Sequence, residues 1–73
     1  MMQSNMTFGK RLQAMLDERG WSQRAFADMV MFSTASVSCW CTDRAEPTLT
    51  AIASMSVALD VSTDYLIFGK ERK

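Results

Sequence analysis

Seventy-three residues, 48% of them hydrophobic, with three Gly and one Pro, are enough for one small globular domain and too few for two. Lys plus Arg equals Asp plus Glu, eight of each, and histidine is absent, which removes the commonest general base and the commonest metal ligand. No apolar run approaches the ~20 residues of a membrane span and MMQSNMTFGK carries no apolar signal core, so a protein of the reducing cytoplasm is expected.

Residues 1–6 read as a flexible lead, 7–69 as the folded domain and 70–73 as a polar tail. The first helix is expected over 7–19. Thr7 is its N-cap, and Phe8, Leu12, Met15 and Leu16 form one apolar stripe. Gly20 ends it in a left-handed conformation. Ser22 caps a second, two-turn helix. There Phe26, Ala27 and Val30 face inward, and Gln23, Arg24 and Asp28 face outward. After the short connection MFS, Ser33 caps a third helix, TASVSCWCTD, whose Val37, Trp40 and Cys41 share a face. DRAEP is a charged loop. Pro47 and Thr48 suit the entry to a fourth helix, with Leu49, Ile52, Ala53, Ser56 and Leu59 as its stripe. Asp60 and Val61 close it, and Ser62 caps a last short helix, TDYLIF, before Gly69. The pattern is all-α: five short helices, no strand signal, and connections of two to six residues. The short second and third helices across a tight turn suggest a helix-turn-helix.

Both cysteines lie in the third helix, as Cys39-Trp40-Cys41. Residues two apart on a helix point about 200° from each other, so an intact helix cannot offer both thiols to one ion. A structural zinc site needs four ligands, and no other set supplies them. The redox spacing is C-x-x-C, not C-x-C. Cys41 is therefore expected in the core and Cys39 on the outer face, with no metal and no cofactor. No pair of groups makes a plausible nucleophile and base, so an enzyme is not expected either.

The outer face of the third helix consists of Thr34, Ala35, Ser36 and Cys39. A solvated helix more often carries Lys or Glu there. Small, uncharged groups let a helix approach a surface closely, and in a helix-turn-helix that surface is the DNA major groove. Ser and Thr hydroxyls can meet base edges, and Ala or a Thr methyl can meet the thymine methyl. Gln23, with Arg24 beside it, opens the second helix, where free N–H groups and the dipole attract a phosphate. Arg44 could reach phosphate or instead pair with Asp43 or Glu46. Lys10 and Arg11 are weaker candidates.

The stretches FGKRLQAMLDERGWSQRAFADMV, SVSCW and EPTLTAIASMSVALDVSTDYLIFGK together resemble the lambda-repressor-like helix-turn-helix family of Cro and XRE-type regulators, over residues 7–70. The resemblance implies a five-helix domain that binds double-stranded operator DNA, commonly as a dimer. It places base contacts at Ser33, Thr34, Ala35, Ser36 and Cys39, and phosphate contacts at Gln23 and from Thr42 to Arg44. Three positions depart from the family's pattern. Met31 stands where Gly is usual in the turn, and a left-handed Met there would cost roughly 1–2 kcal/mol. Leu16 and Cys41 replace an Arg–Glu pair. Cys39 replaces a long polar side chain, which shifts readout toward apolar contact and DNA shape.

The expected function is that of a small transcriptional regulator of phage, prophage or plasmid type. Its homodimer would bind operator DNA without a small-molecule ligand, at an occupancy set by concentration. Tyr65, Ile67 and Phe68 are candidates for the dimer seam. The alternative is an antirepressor-like interaction module that keeps the fold without binding DNA, a reading that the zero net charge and the Lys-free third helix favour.

Overall fold

The computed structural model describes residues 6–70; the flexible lead and the polar tail expected at the ends lie, apart from Met6 and Lys70, outside them. Five helices follow in order: α1 (Phe8–Arg19), α2 (Gln23–Val30), α3 (Thr34–Cys41), α4 (Leu49–Leu59) and α5 (Thr63–Phe68). Among the described residues there is no strand.

Each helix begins the same way. Thr7, Ser22, Ser33, Thr48 and Ser62 hold extended backbone, and each hydroxyl accepts the N–H three residues on, at 3.0–3.1 Å. One orphan donor of every first turn is thereby satisfied. The ends are equally regular. Gly20, Met31, Asp60 and Gly69 stop α1, α2, α4 and α5 in the left-handed region. Only Gly takes that conformation freely, so Met31 (φ 65°) and Asp60 (φ 58°) hold it against a steric penalty.

The helices close around one core. Leu12, Met15 and Leu16 of α1 meet Phe26, Ala27 and Val30 of α2, Val37, Trp40 and Cys41 of α3, Ala51, Met55 and Leu59 of α4, and Leu66 of α5. Phe8 is half-buried against this cluster. Leu16 and Cys41, the expected replacement of a charged pair, are 0% and 8% exposed. An apolar pair in that place avoids the desolvation penalty of two buried charges.

Two expectations fail here. The α4 stripe is Ala51, Met55 and Leu59, whereas Leu49 is 86% exposed and Ala53 is exposed. The whole helix, LTAIASMSVAL, lacks a charged residue, so periodicity has no polar face to fix its register. Packing chooses instead, and it presses the small Ala51 inward. The second failure is Arg11, which is not a surface cation. It is 6% exposed; its Nε donates to Leu66 O at 3.1 Å, its Nη2 to Ile67 O at 2.6 Å and its Nη1 to Met6 O at 3.3 Å. The last carbonyls of α5 have no partner within that helix, and the guanidinium fork supplies donors to two of them. Arg19 does the same for α4, from Nη2 to Leu59 O at 2.9 Å.

Candidate nucleic-acid interface

Helices α2 and α3 are eight residues each and meet across Met31, Phe32 and Ser33. The Met31 N–H and the Phe32 N–H (3.0 Å) both donate to Ala27 O. That arrangement demands the left-handed residue, and Met31 adopts it with its side chain 89% exposed. Met in place of Gly therefore strains the turn without reshaping it. Phe32 then stacks its edge on Trp40, with centroids 5.2 Å apart and an interplanar angle of 66°. Together with fully buried Val37, this contact seats α3 on the core.

The seating leaves the opposite face of α3 outward. Ser33, Thr34, Ala35 and Thr42 are exposed, and Ser36 and Cys39 are half-buried. No charged residue occurs in TASVSCWC. The Ser33 hydroxyl accepts from Ser36 N and donates to Ser36 Oγ at 3.1 Å, so Ser36 keeps its own hydroxyl hydrogen for an outside acceptor. The Thr42 hydroxyl donates back to Ser38 O at 2.9 Å. Its donor is engaged within the helix.

Cys39 and Cys41 are both free thiols and lie on different faces, as their spacing requires. Burial, then the charges of Asp17 and Asp43, push the Cys41 thiol up to about 11, so it stays protonated and unreactive at neutral pH. Among the described residues, no group of three or more His, Cys, Asp or Glu could hold a metal ion.

Cations flank the face. Arg24 on the first turn of α2 and Arg44 beyond α3 are exposed. Gln23, expected to look outward, is half-buried and turned toward α1: its Nε2 donates to Gln13 Oε1 at 2.7 Å, while Gln13 Nε2 donates to Asp17 Oδ1 at 2.9 Å. A charged acceptor at one end fixes both amides, because a carboxylate only accepts. What remains outward at the start of α2 is its backbone.

The residue that sequence reasoning missed is Asp43. It sits at φ 61°, just past α3, and its Oδ2 accepts from Thr7 Oγ1 at 2.6 Å while its Oδ1 accepts from Gly9 N at 2.9 Å. Asp43 thus caps α1 from the far side of the helix-turn-helix. The Thr7 hydroxyl, then the Gly9 N–H, hold its carboxyl below the usual carboxylate range. Gly9 allows the approach: a Cβ there would lie 2.5 Å from Cys41 O and 2.6 Å from Trp40 O. A glycine two residues into a helix was the available signal, since Gly is a poor helix former without a packing reason.

The sequence profile of the helix-turn-helix family matches residues 12–66, most of the chain. The chain belongs to that family. It is 34% identical over 62 residues, 85% of its length, to an uncharacterised HTH-type transcriptional regulator, YonR, derived from the SPbeta prophage of Bacillus subtilis (strain 168), and it spans 57% of that protein. Among solved structures it is similar to the P22 c2 repressor in complex with a synthetic operator, with a TM-score of 0.86 and 30% identity over 90% of this chain and all of that one. The solution structure of the DNA-binding domain of the same repressor gives 0.83 and 31%, over 88% and 84%. The five-helix arrangement is thus the repressor-like helix-turn-helix fold.

Proposed function

We propose that this helix-turn-helix chain is a sequence-specific DNA-binding repressor of prophage type that inserts α3 into the major groove. The observation that carries the reading is the uncharged, small-residue face of α3, presented beside the N-terminus of α2 on a fold shared with a repressor solved on its operator. Thr34, Ala35, Ser36 and Cys39 meet base edges, with Ser33 at the margin as the cap. Phosphates are met by the backbone N–H groups of Gln23 and Arg24 and by the Arg24 and Arg44 side chains; the N–H and the hydroxyl of Thr42 both donate to Ser38 O, so Thr42 borders this surface without a free donor of its own.

A single domain of this size reads few base pairs, so a homodimer on two half-sites one helical turn apart completes the reading. Ile67 (40% exposed) and Phe68 (54%) supply apolar surface for the seam; Tyr65, half-buried against the core, supports them from beneath. The role is binding rather than catalysis, and it is exercised in the cytoplasm, where the DNA is. No helix among the described residues is long and apolar enough to cross a membrane.

The rival is a protein-interaction module on the same fold, and the zero net charge favours it. Selection from random duplex DNA, followed by affinity at several salt concentrations, separates the two. A repressor yields an enriched palindromic sequence whose log affinity falls linearly with log salt. An interaction module enriches nothing.

A further inference from the structure

Asp43 presents a contradiction within that reading. A carboxylate lies beside Arg44, at the edge of a surface meant to meet polyanionic DNA. On charge alone its presence weakens binding. Geometry gives it another task. Its two oxygens reach Thr7 and Gly9, which are 36 and 34 residues away in sequence, and so tie the exit of α3 to the start of α1. The loop it belongs to, residues 42–46, is exposed throughout, and its inner side rests on Cys39 O through Arg44 N (2.9 Å) and Ala45 N (3.4 Å). With the Asp43 carboxylate on one side and the Cys39 carbonyl on the other, the backbone of Arg44 has a fixed place.

We propose that Asp43 is a positioning residue for DNA binding: by capping α1 through Thr7 and Gly9 it fixes the exit of α3 and aims Arg44 at the phosphate backbone. The inference rests on the DNA-binding reading above. It also closes the N-terminus of α1 to phosphate, since a carboxylate already occupies the Gly9 N–H. The penalty of Asp at φ 61° is consistent with such a task, because Gly would hold the same backbone without strain and without the tether.

Two substitutions remove the same charge and differ in whether an acceptor for Gly9 N remains. Asn tolerates the left-handed region, and its side-chain oxygen can still accept from Gly9 N. Gly relaxes the backbone but offers no acceptor. Affinity is measured for wild type, Asp43→Asn and Asp43→Gly on one duplex, selected from random sequence by the wild-type chain, at a temperature where circular dichroism shows all three folded. Asp43→Asn should bind at least as tightly as wild type. Asp43→Gly should bind about five-fold more weakly than Asp43→Asn, the scale of one lost organising hydrogen bond. In a double mutant with Arg44→Ala, that difference should disappear. If Asp43→Gly binds as tightly as Asp43→Asn, the positioning role is overturned and the residue is only a stabilising cap. If the wild type selects no sequence at all, the repressor reading falls and this inference with it.

Discussion

Met31→Gly should stabilise the protein, and the expected size can be worked from the turn. Met31 sits at φ 65°, ψ 37°. A non-Gly residue pays roughly 1–2 kcal/mol for that region. The side chain is 89% exposed, so its removal uncovers almost no core. The hydrogen bond to Ala27 O uses the backbone and survives. Against the relief stands the extra freedom that Gly gives the unfolded chain, about 0.4–1 kcal/mol. The net gain is about 1 kcal/mol, and for a domain of this size that raises the melting temperature by roughly 4–8 °C. Thermal denaturation followed by circular dichroism measures it, with Met31→Ala as the control. Ala keeps the Cβ and hence the penalty, so it should melt near wild type. A Gly variant that melts no higher than wild type, or an Ala variant that gains as much, would refute the claim that backbone strain resides at this turn.

Three more outcomes follow from the packing. Arg11→Met removes the donors that serve Leu66, Ile67 and Met6 carbonyls and should cost roughly 2–4 kcal/mol in urea denaturation. Arg11→Lys should not restore it, since an ammonium lacks the planar fork. Gly9→Ala, which would stabilise an ordinary helix, should here lower the urea midpoint by the equivalent of about 1–3 kcal/mol, because its Cβ meets two carbonyls. Cys41 has its folded-state pKa raised from 9.0 to about 11. The unfolded thiol therefore releases its proton first, so the stability linked to it is complete below pH 9 and falls as pH rises from 9 toward 11. Urea midpoints at pH 8 and pH 10.5 should drop further for wild type than for Cys41→Val; equal drops would mean that the thiol is not buried in the folded state.

The helices were readable because hydroxyl caps and apolar stripes agree at almost every boundary. Thr7, Ser22, Ser33 and Ser62 cap as expected, Gly20 and Gly69 terminate as expected, and α4 starts at the entry expected around Pro47 and Thr48, with Thr48 as its cap. The outer face of α3 was readable for a related reason: once Val37 and Trp40 are assigned inward, three-dimensional placement of Thr34 and Ala35 follows from 3.6 residues per turn. Where one pattern carried two meanings, reading stopped. The stripe of α4 could not be fixed because every face of that helix is uncharged. Arg11 looks like a surface cation in sequence, although it stands three residues after Phe8 on the apolar stripe. Two of its three partners are backbone carbonyls more than fifty residues away, and carbonyls leave no trace in side-chain identity. Asp43 was hidden likewise, since a charged loop gives no hint that its carboxylate has been claimed by the first helix.

The central claim is that the exposed face of α3 reads DNA, and a pair of charge insertions tests it most directly. Ala35→Glu and Val57→Glu each place one negative charge on an exposed position outside the core, on α3 and α4 respectively. Affinity for a duplex selected by the wild type is measured for both, with melting curves to show that each is folded. Ala35→Glu should lose at least about tenfold, the scale of a spoiled base contact, while Val57→Glu should stay within about threefold. Equal affinities for the two variants would contradict the assignment of α3 as the recognition helix.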